Sequence, residues 1–351
     1  MQADAHVDPT GLADCIVREA IPAGNLAGLA RLAGSSLLIT GASGLIGTWM
    51  LASLPEEPHE RPREVIAVTR GRPTPCFQAL ARRKEVRIIT GDLAEPAFRQ
   101  SLPEADAIVH AAGYGQPGKF LSDPVATMAL NVCATIDLFR KLRPGGRFLY
   151  LSTSEIYSGL PPGKHSENQT GTTNTDHPRA CYIEGKRAGE VLCHAHAAMG
   201  VKAHAARLAL AYGPGVRLDD ARVLNVFILR ALSGAVSMAD RGLALRTYCY
   251  AADAVEILWR ILLDGTRVVY NVGGTSRTSI AGLAGAIADI VGVPVVMPEQ
   301  DSFLLDAPGE VSLDLSFLEE DFAKTDFIEL RTGLECTVAW LRALKALEEK
   351  P

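Results

Sequence analysis

The segment CYIEGKRAGE, residues 181–190, sets Tyr182 and Lys186 four positions apart, so both project from one face of an amphipathic helix. A phenol beside an ammonium is a candidate general base, because the positive charge favours phenolate and draws the tyrosine pKa down from its ordinary value near ~10. Upstream, LSTSEIY (151–157) supplies Thr153, Ser154 and Glu155 at the end of an apolar run. Thr153 is suited to share a hydrogen bond with a substrate oxygen that Tyr182 deprotonates. Glu155 is more informative, since hydride transfer alone needs no carboxylate there. The plainer readings are strand-end capping for Thr153 and Ser154, a solvated acid for Glu155, and chance for the Tyr-Lys spacing.

These residues need a scaffold, and the apolar runs describe one. Short runs recur at 37–40, 65–69, 86–90, 107–111 and 147–152, and helix-compatible segments separate most of them. Strand and helix in alternation predict an α/β fold, a Rossmann-type doubly wound parallel sheet. The spacing predicts helices over 221–233, 253–263 and 279–291, a strand over 268–272 and a last helix near 334–348. The expected organisation is an N-terminal helical extension over 1–34, with patches at about 10–20 and 24–33. A dinucleotide-binding domain with the Tyr182 helix would occupy 35–209. Residues 210–351 would form mainly a smaller C-terminal α/β substrate-binding lobe, with some return to the first domain. The polar stretch 158–178 is expected to be a long loop, a kind more often functional than idle.

The first strand stops at Gly41, Gly44 and Gly47, and a helix pattern opens there. Glycines at this spacing permit a tight turn, close approach of a pyrophosphate and close helix packing, and the helix N-terminus favours the phosphates. A dinucleotide is therefore expected against Gly41, Ser43, Gly44, Leu45, Ile46 and Gly47, with Asp92, Leu93 and Ala111 at the ends of later strands. At the end of the second strand stand Thr69, Arg70 and Arg72 rather than the carboxylate that meets a free ribose 2′-hydroxyl. Either the arginines are solvated and the cofactor is NAD, or they meet the 2′-phosphate of NADP; the residues leave both open.

Composition narrows the rest. The chain has 351 residues, 48% of them hydrophobic, and a formal net charge of −5 without a long basic run. Such a surface argues against nucleic acid as a partner. No stretch reaches the ~18 apolar residues of a membrane span, and the N-terminus does not read as a signal peptide. The seven scattered cysteines contain no CxxC pair, which points to reduced thiols in a cytoplasmic protein and to no metal site.

Taken together, these motifs resemble the extended short-chain dehydrogenase/reductase family of nucleotide-sugar enzymes, with UDP-glucuronate decarboxylases as the nearest group. PRACYIEGKRAGE (178–190), the TSE triplet at 153–155, DARVLNVFILRAL (220–232), RTYCYAADAVEIL (246–258) and YNVGG (270–274) carry the resemblance, which spans roughly 35–345. It implies catalytic roles for Thr153, Glu155, Tyr182 and Lys186, with Tyr182 and Lys186 also against the cofactor. It places Ser154 and Arg179 at the sugar, and Arg222 and Arg246 at a nucleotide diphosphate. The implied reaction is a transient 4-oxidation with the hydride returned, the implied cofactor leans slightly to NAD, and the implied assembly is a homodimer. The sequence departs from the decarboxylase pattern at Thr69-Arg70, in the loop 111–120, at Leu210 where that group has asparagine, and at Gly215 where it has arginine, although Arg217 lies close by. These departures keep a 4,6-dehydratase or an epimerase open beside a decarboxylase. An NADPH-consuming ketoreductase and a non-catalytic dinucleotide sensor are the readings from other classes.

Overall fold

A computed structural model of the chain describes residues 8–115, 117–298 and 309–349. Helix α1 (Pro9–Ala27) is one continuous helix rather than separate patches. Asp8 caps it by accepting from the Gly11 N–H at 2.7 Å, Pro9 takes the first position, and Gly28 ends it at φ 70°. The alternating body follows: β1 (Ser36–Thr40), α2 (Leu45–Ala52), β2 (Glu64–Thr69), α3 (Pro75–Arg83), β3 (Arg87–Thr90), α4 (Pro96–Ser101), β4 (Ala105–His110) and α5 (Pro117–Ser122). Next come α6 (Pro124–Met128), a π-helical turn (Ala129–Cys133), α7 (Ala134–Arg140), β5 (Leu142–Thr153), β6 (Lys164–His165), α8 (Ala180–Ala198) and β7 (Lys202–Leu208). The remainder is β8 (Ala211–Tyr212), α9 (Val223–Ala231), β9 (Val236–Ser237), β10 (Leu245–Tyr250), α10 (Ala251–Asp264), β11 (Val269–Val272), β12 (Ser276–Ser279), α11 (Ile280–Val291), β13 (Val295–Val296), β14 (Glu310–Leu313), α12 (Ser316–Phe322) and α13 (Leu330–Glu348).

Seven strands form one parallel sheet in the order β11-β7-β5-β4-β1-β2-β3. The order reverses between β1 and β4, and in such sheets the ligand crevice lies beyond the carboxyl ends of the strands at that reversal. β1 is buried on both faces, as an apolar run in the middle of a parallel sheet requires. A second sheet, β12-β10-β14-β6 with β8 beside β10, carries the chain across to the other side of the crevice. The polar stretch 158–178 contributes the two-residue strand β6 to it.

Two late segments lie with the first sheet, although the apolar pattern alone suggested the lobe. β11 pairs with β7 from Val269↔Ala205 to Val272↔Leu208 and forms the sheet edge. α10 is buried along almost its whole length, with Trp259 fully enclosed, because it is sandwiched between this sheet and α1. The N-terminal helix is thus part of the main core. Its Leu12, Ile16 and Val17 are buried, each worth about 1.5–3 kcal/mol of apolar burial. Arg31 pairs with Asp264 at 2.6 Å just past the end of α1, and the Tyr250 hydroxyl donates to Glu19.

Candidate active site

The three glycines are not equivalent. Gly41 sits at φ +65°, and a Cβ there would lie 2.6 Å from the backbone of Ala111. On Gly47 a Cβ would lie 2.6 Å from the Gly41 carbonyl oxygen and from Ala42 Cα. Both are needed so that the turn and α2 can close on the strands. Gly44, the residue before α2, would meet only the Gly41 carbonyl, at 3.2 Å, so its open side faces the crevice. The turn is braced from behind by a buried relay. Thr40 Oγ1 and His110 Nδ1 lie 2.7 Å apart, and Thr40 Oγ1 accepts from the Ala112 N–H at 3.2 Å. Burial pushes the His110 pKa down to about 3, so the imidazole is neutral.

The crevice is a cleft of about 690 Å³ that runs from the glycine turn to the start of α8. Gly41, Ser43, Gly44, Leu45, Ile46, Gly47, Arg70, Asp92, Leu93 and Ala111 line one end. Thr153, Ser154, Glu155, Arg179, Tyr182, Lys186 and Arg222 line the other. Arg246 does not line it, although the Glu155 carboxyl feels its charge. Arg72 is exposed and outside the cleft. Asp92 accepts from the Ala94 N–H at 2.8 Å, closing its own turn. The first-turn N–H groups of α2, the cradle at Gly44 and a continuous path to Tyr182 fit a dinucleotide with its pyrophosphate at the turn. Gly44→Val is expected to lower dinucleotide affinity at least ~10-fold, with the thermal melt unchanged. Gly47→Ala, by contrast, should lower the melting temperature, because its Cβ strikes backbone.

At the other end, α8 turns Tyr182 and Lys186 inward together, and both are buried. Lys186 Nζ donates to the Leu151 carbonyl at 2.7 Å and lies 5.9 Å from the centre of the Tyr182 ring. Burial drives the Lys186 pKa down to about 7 and the Tyr182 pKa up to about 12, although the Thr153 hydroxyl's hydrogen bond favours the phenolate. The ammonium was expected to draw the phenol down. In this form desolvation outweighs that pull, because Lys186 is itself dehydrated and bonds to a carbonyl rather than to the phenol.

Glu155 is not a solvated acid. The 3-10 turn Ser154–Tyr157 tucks it inside, where it pairs with Arg179. Burial raises its pKa, opposed chiefly by the Arg179 charge. Glu155 Oε2 and Arg179 Nε are both out of water and have no partner. Arg222 is held by Asp220, with Nη2–Oδ2 at 2.5 Å.

Sequence reasoning missed two contributors, Phe120 and Asn131, and noted Leu210 only as a departure from the decarboxylase pattern. Phe120 lies flat on the Tyr182 ring, with centroids 4.6 Å apart and planes 8° apart. Asn131, in the π-helical turn, accepts from the Tyr150 hydroxyl at 3.2 Å, and the Tyr150 ring in turn backs Lys186 Nζ at 4.9 Å. Leu210 lines the cleft at φ 28°, a left-handed conformation that leucine rarely adopts. For Phe120 and Asn131, no local spacing in the sequence points to these contacts, which the fold alone creates.

Residues 37–273 match the NAD dependent epimerase/dehydratase family. The chain belongs to that family. This epimerase/dehydratase is 29% identical over 306 residues to UDP-glucuronic acid decarboxylase 6 of Arabidopsis thaliana, covering 85% of this chain and 86% of that one. It is 30% identical over 329 residues to dTDP-4-dehydro-6-deoxy-D-allose reductase of a Streptomyces species, covering 90% of this chain and 98% of that protein. Among solved structures, dTDP-glucose 4,6-dehydratase from Streptomyces venezuelae, with NAD and TYD bound, superposes with a TM-score of 0.74 at 22% identity, covering 89% of this chain and 98% of that one. The expected Rossmann-like α/β fold is therefore present, and NAD(P) is the cofactor class of this epimerase/dehydratase. Among its described residues no helix is long and apolar enough to cross a membrane.

Proposed function

We propose that this enzyme is a lyase that decarboxylates a nucleotide-diphosphate hexuronate such as UDP-glucuronate, through a transient 4-ketone and without net redox change. The observation that carries the reading is the half-buried Arg179–Glu155 pair, whose Nε–H and Oε2 are shielded from water and unpartnered. A guanidinium with a dehydrated free donor suits a sugar carboxylate, and a dehydrated carboxylate suits a proton on the neighbouring carbon. The similarity to plant decarboxylases supports the same choice.

In this reading Tyr182 Oη accepts the proton of the sugar 4-hydroxyl, and Thr153 Oγ1 steadies the same oxygen. The dinucleotide, when bound, supplies the hydride acceptor and, in its oxidised form, a positive charge. With C4 a ketone, the C6 carboxylate belongs to a β-keto acid and leaves as carbon dioxide. The electron pair of the broken C5–C6 bond passes into a C4–C5 enolate, C5 takes a solvent proton relayed by Glu155, and Tyr182 returns its proton to the C4 oxygen as C4 is reduced again. Lys186 orients the far end of the cofactor and the phenol. Arg222 and Arg217, which line the cleft and keep free N–H donors, hydrogen-bond the diphosphate, and Arg246 adds positive charge near Glu155.

The division of labour follows the two sheets, with residues 35–209 holding the dinucleotide and the second sheet with its helices holding the sugar nucleotide. A homodimer is supported by the adjacent helices α6 and α8, which leave Val125 79% and Val191 64% exposed. All seven cysteines are free, in keeping with the reducing cytoplasm.

The test is incubation of the purified enzyme with UDP-glucuronate and its GDP, CDP and dTDP counterparts, read by mass spectrometry. A sugar nucleotide lighter by carbon dioxide, formed without added dinucleotide, is the expected result. A 4-keto-6-deoxy sugar nucleotide with NADPH is the comparison arm. Consumption of NADPH in step with product there would replace the decarboxylase reading with a ketoreductase. That second reading has its own support in the apolar Leu210 wall and in the similarity to the Streptomyces reductase.

A further inference from the structure

Four arginines line the cleft, and three of them already have a carboxylate partner. Arg179 is paired with Glu155, Arg222 with Asp220, and Arg217 with Asp219 at 2.9 Å. Among the described residues Arg70 is the one cleft arginine with no carboxylate partner. It is nevertheless held in place. Its Nη1 donates to the Tyr114 hydroxyl at 2.5 Å, and its Cζ lies 5.0 Å from the centre of the Tyr114 ring. One of five N–H donors is thereby used, and the charge is uncompensated. The position is the end of β2, the side of the crevice where a dinucleotide's adenosine ribose lies.

No carboxylate stands there to accept from a free ribose 2′-hydroxyl. Thr69 ends β2, and its hydroxyl is taken up by the Gly71 carbonyl at 3.3 Å and Thr90 Oγ1 at 3.2 Å. The nearest acid in the cleft, Asp92, is turned to its own backbone. A hydroxyl finds no anionic acceptor here, whereas a phosphate finds a pre-oriented guanidinium without a competing anion. We propose that Arg70, positioned by Tyr114, binds the 2′-phosphate, so that the enzyme prefers NADP(H) to NAD(H). Arg70 is exposed at the cleft rim, so replacing it leaves the core intact.

This inference rests on the dinucleotide assignment and not on the sugar. Its test uses binding alone, so it stands or falls separately from the decarboxylase reading. Isothermal titration of the full chain, freed of bound nucleotide, with NADP and with NAD should give a dissociation constant at least ~10-fold lower for NADP. Arg70→Ala should weaken NADP by about that factor and leave NAD within ~2-fold. Tyr114→Phe keeps the ring but frees the guanidinium, and should weaken NADP by a smaller factor. Adenosine 2′,5′-bisphosphate should displace NADP where adenosine 5′-phosphate at the same concentration does not. Equal or tighter binding of NAD, or an Arg70→Ala loss shared by both dinucleotides, overturns the proposal.

Discussion

Tyr182→Phe keeps its fold and turns over ~10²–10⁴-fold more slowly, the usual range for losing a general acid–base group. The substitution removes only Oη and its hydrogen bond to Thr153. The ring stays, and with it the face-to-face contact with Phe120 that sets its orientation. A thermal melt should therefore match that of the parent. Rapid mixing with sugar nucleotide should show nicotinamide reduction slowed by the same factor as turnover. The pH profile gives an independent check. With the phenol pushed up to about 12, a larger fraction is ionised at each higher pH, so the oxidation step should accelerate from pH 7 towards pH 10. Tyr182→Phe should lose that dependence. Turnover near the parental rate would remove Tyr182 from the chemistry.

Glu155→Gln should separate the two halves of the reaction. The first hydride transfer uses Tyr182 and Thr153, so bound nicotinamide should still be reduced when substrate is added. Product release should fall ~10²-fold or more, because the amide cannot handle the C5 proton. Reduced nicotinamide absorbance should then persist. The variant also leaves Arg179 without its anion, so some loss of thermal stability accompanies it. If Arg179→Lys reproduces the stability loss without the stalled, reduced state, the stall belongs to the carboxylate itself. Product at the parental rate from Glu155→Gln would leave Glu155 only the task of holding Arg179.

Much of the fold was legible because its signals are local. Six strands of the parallel sheet carry a short apolar run, and the glycine turn announces itself by spacing; β7, KAHAARL, mixes Lys202, His204 and Arg207 with alanines and was not expected. Tyr182 and Lys186 were legible for the same reason, since four residues along a helix put two side chains on one face. What was not legible depends on distance in sequence. Nothing in GYGQPGKF (113–120) says that Phe120 will lie on a ring 62 positions later, or that Tyr114 will hold an arginine from β2. The β11 strand and the α10 helix read correctly as elements, but not as the edge of the first sheet and the helix packed on it, because an apolar pattern gives burial without naming the neighbour. The ionisation of Tyr182 and Lys186 was misjudged because spacing reports proximity, whereas the balance between a nearby charge and lost water depends on burial.

The N-terminal helix has a consequence for how the molecule is made. α1 is complete at residue 27, yet α10, across which it lies, begins at residue 251. At ~5–20 residues per second of synthesis, the start of α10 arrives about 11–45 s after the helix itself, and α13, which also touches α1, arrives later still. During that interval α3 and α2 can shelter only part of the face that carries Leu12, Ile16 and Val17. Sealing of α1 therefore lags its synthesis, since the helix that covers it is made more than two hundred residues later. Yield on production should respond to temperature and chaperone supply more than to codon choice near the catalytic segments. A circular permutant that moves α1 behind α13 would bring the helix out after its platform has formed, shortening the exposure.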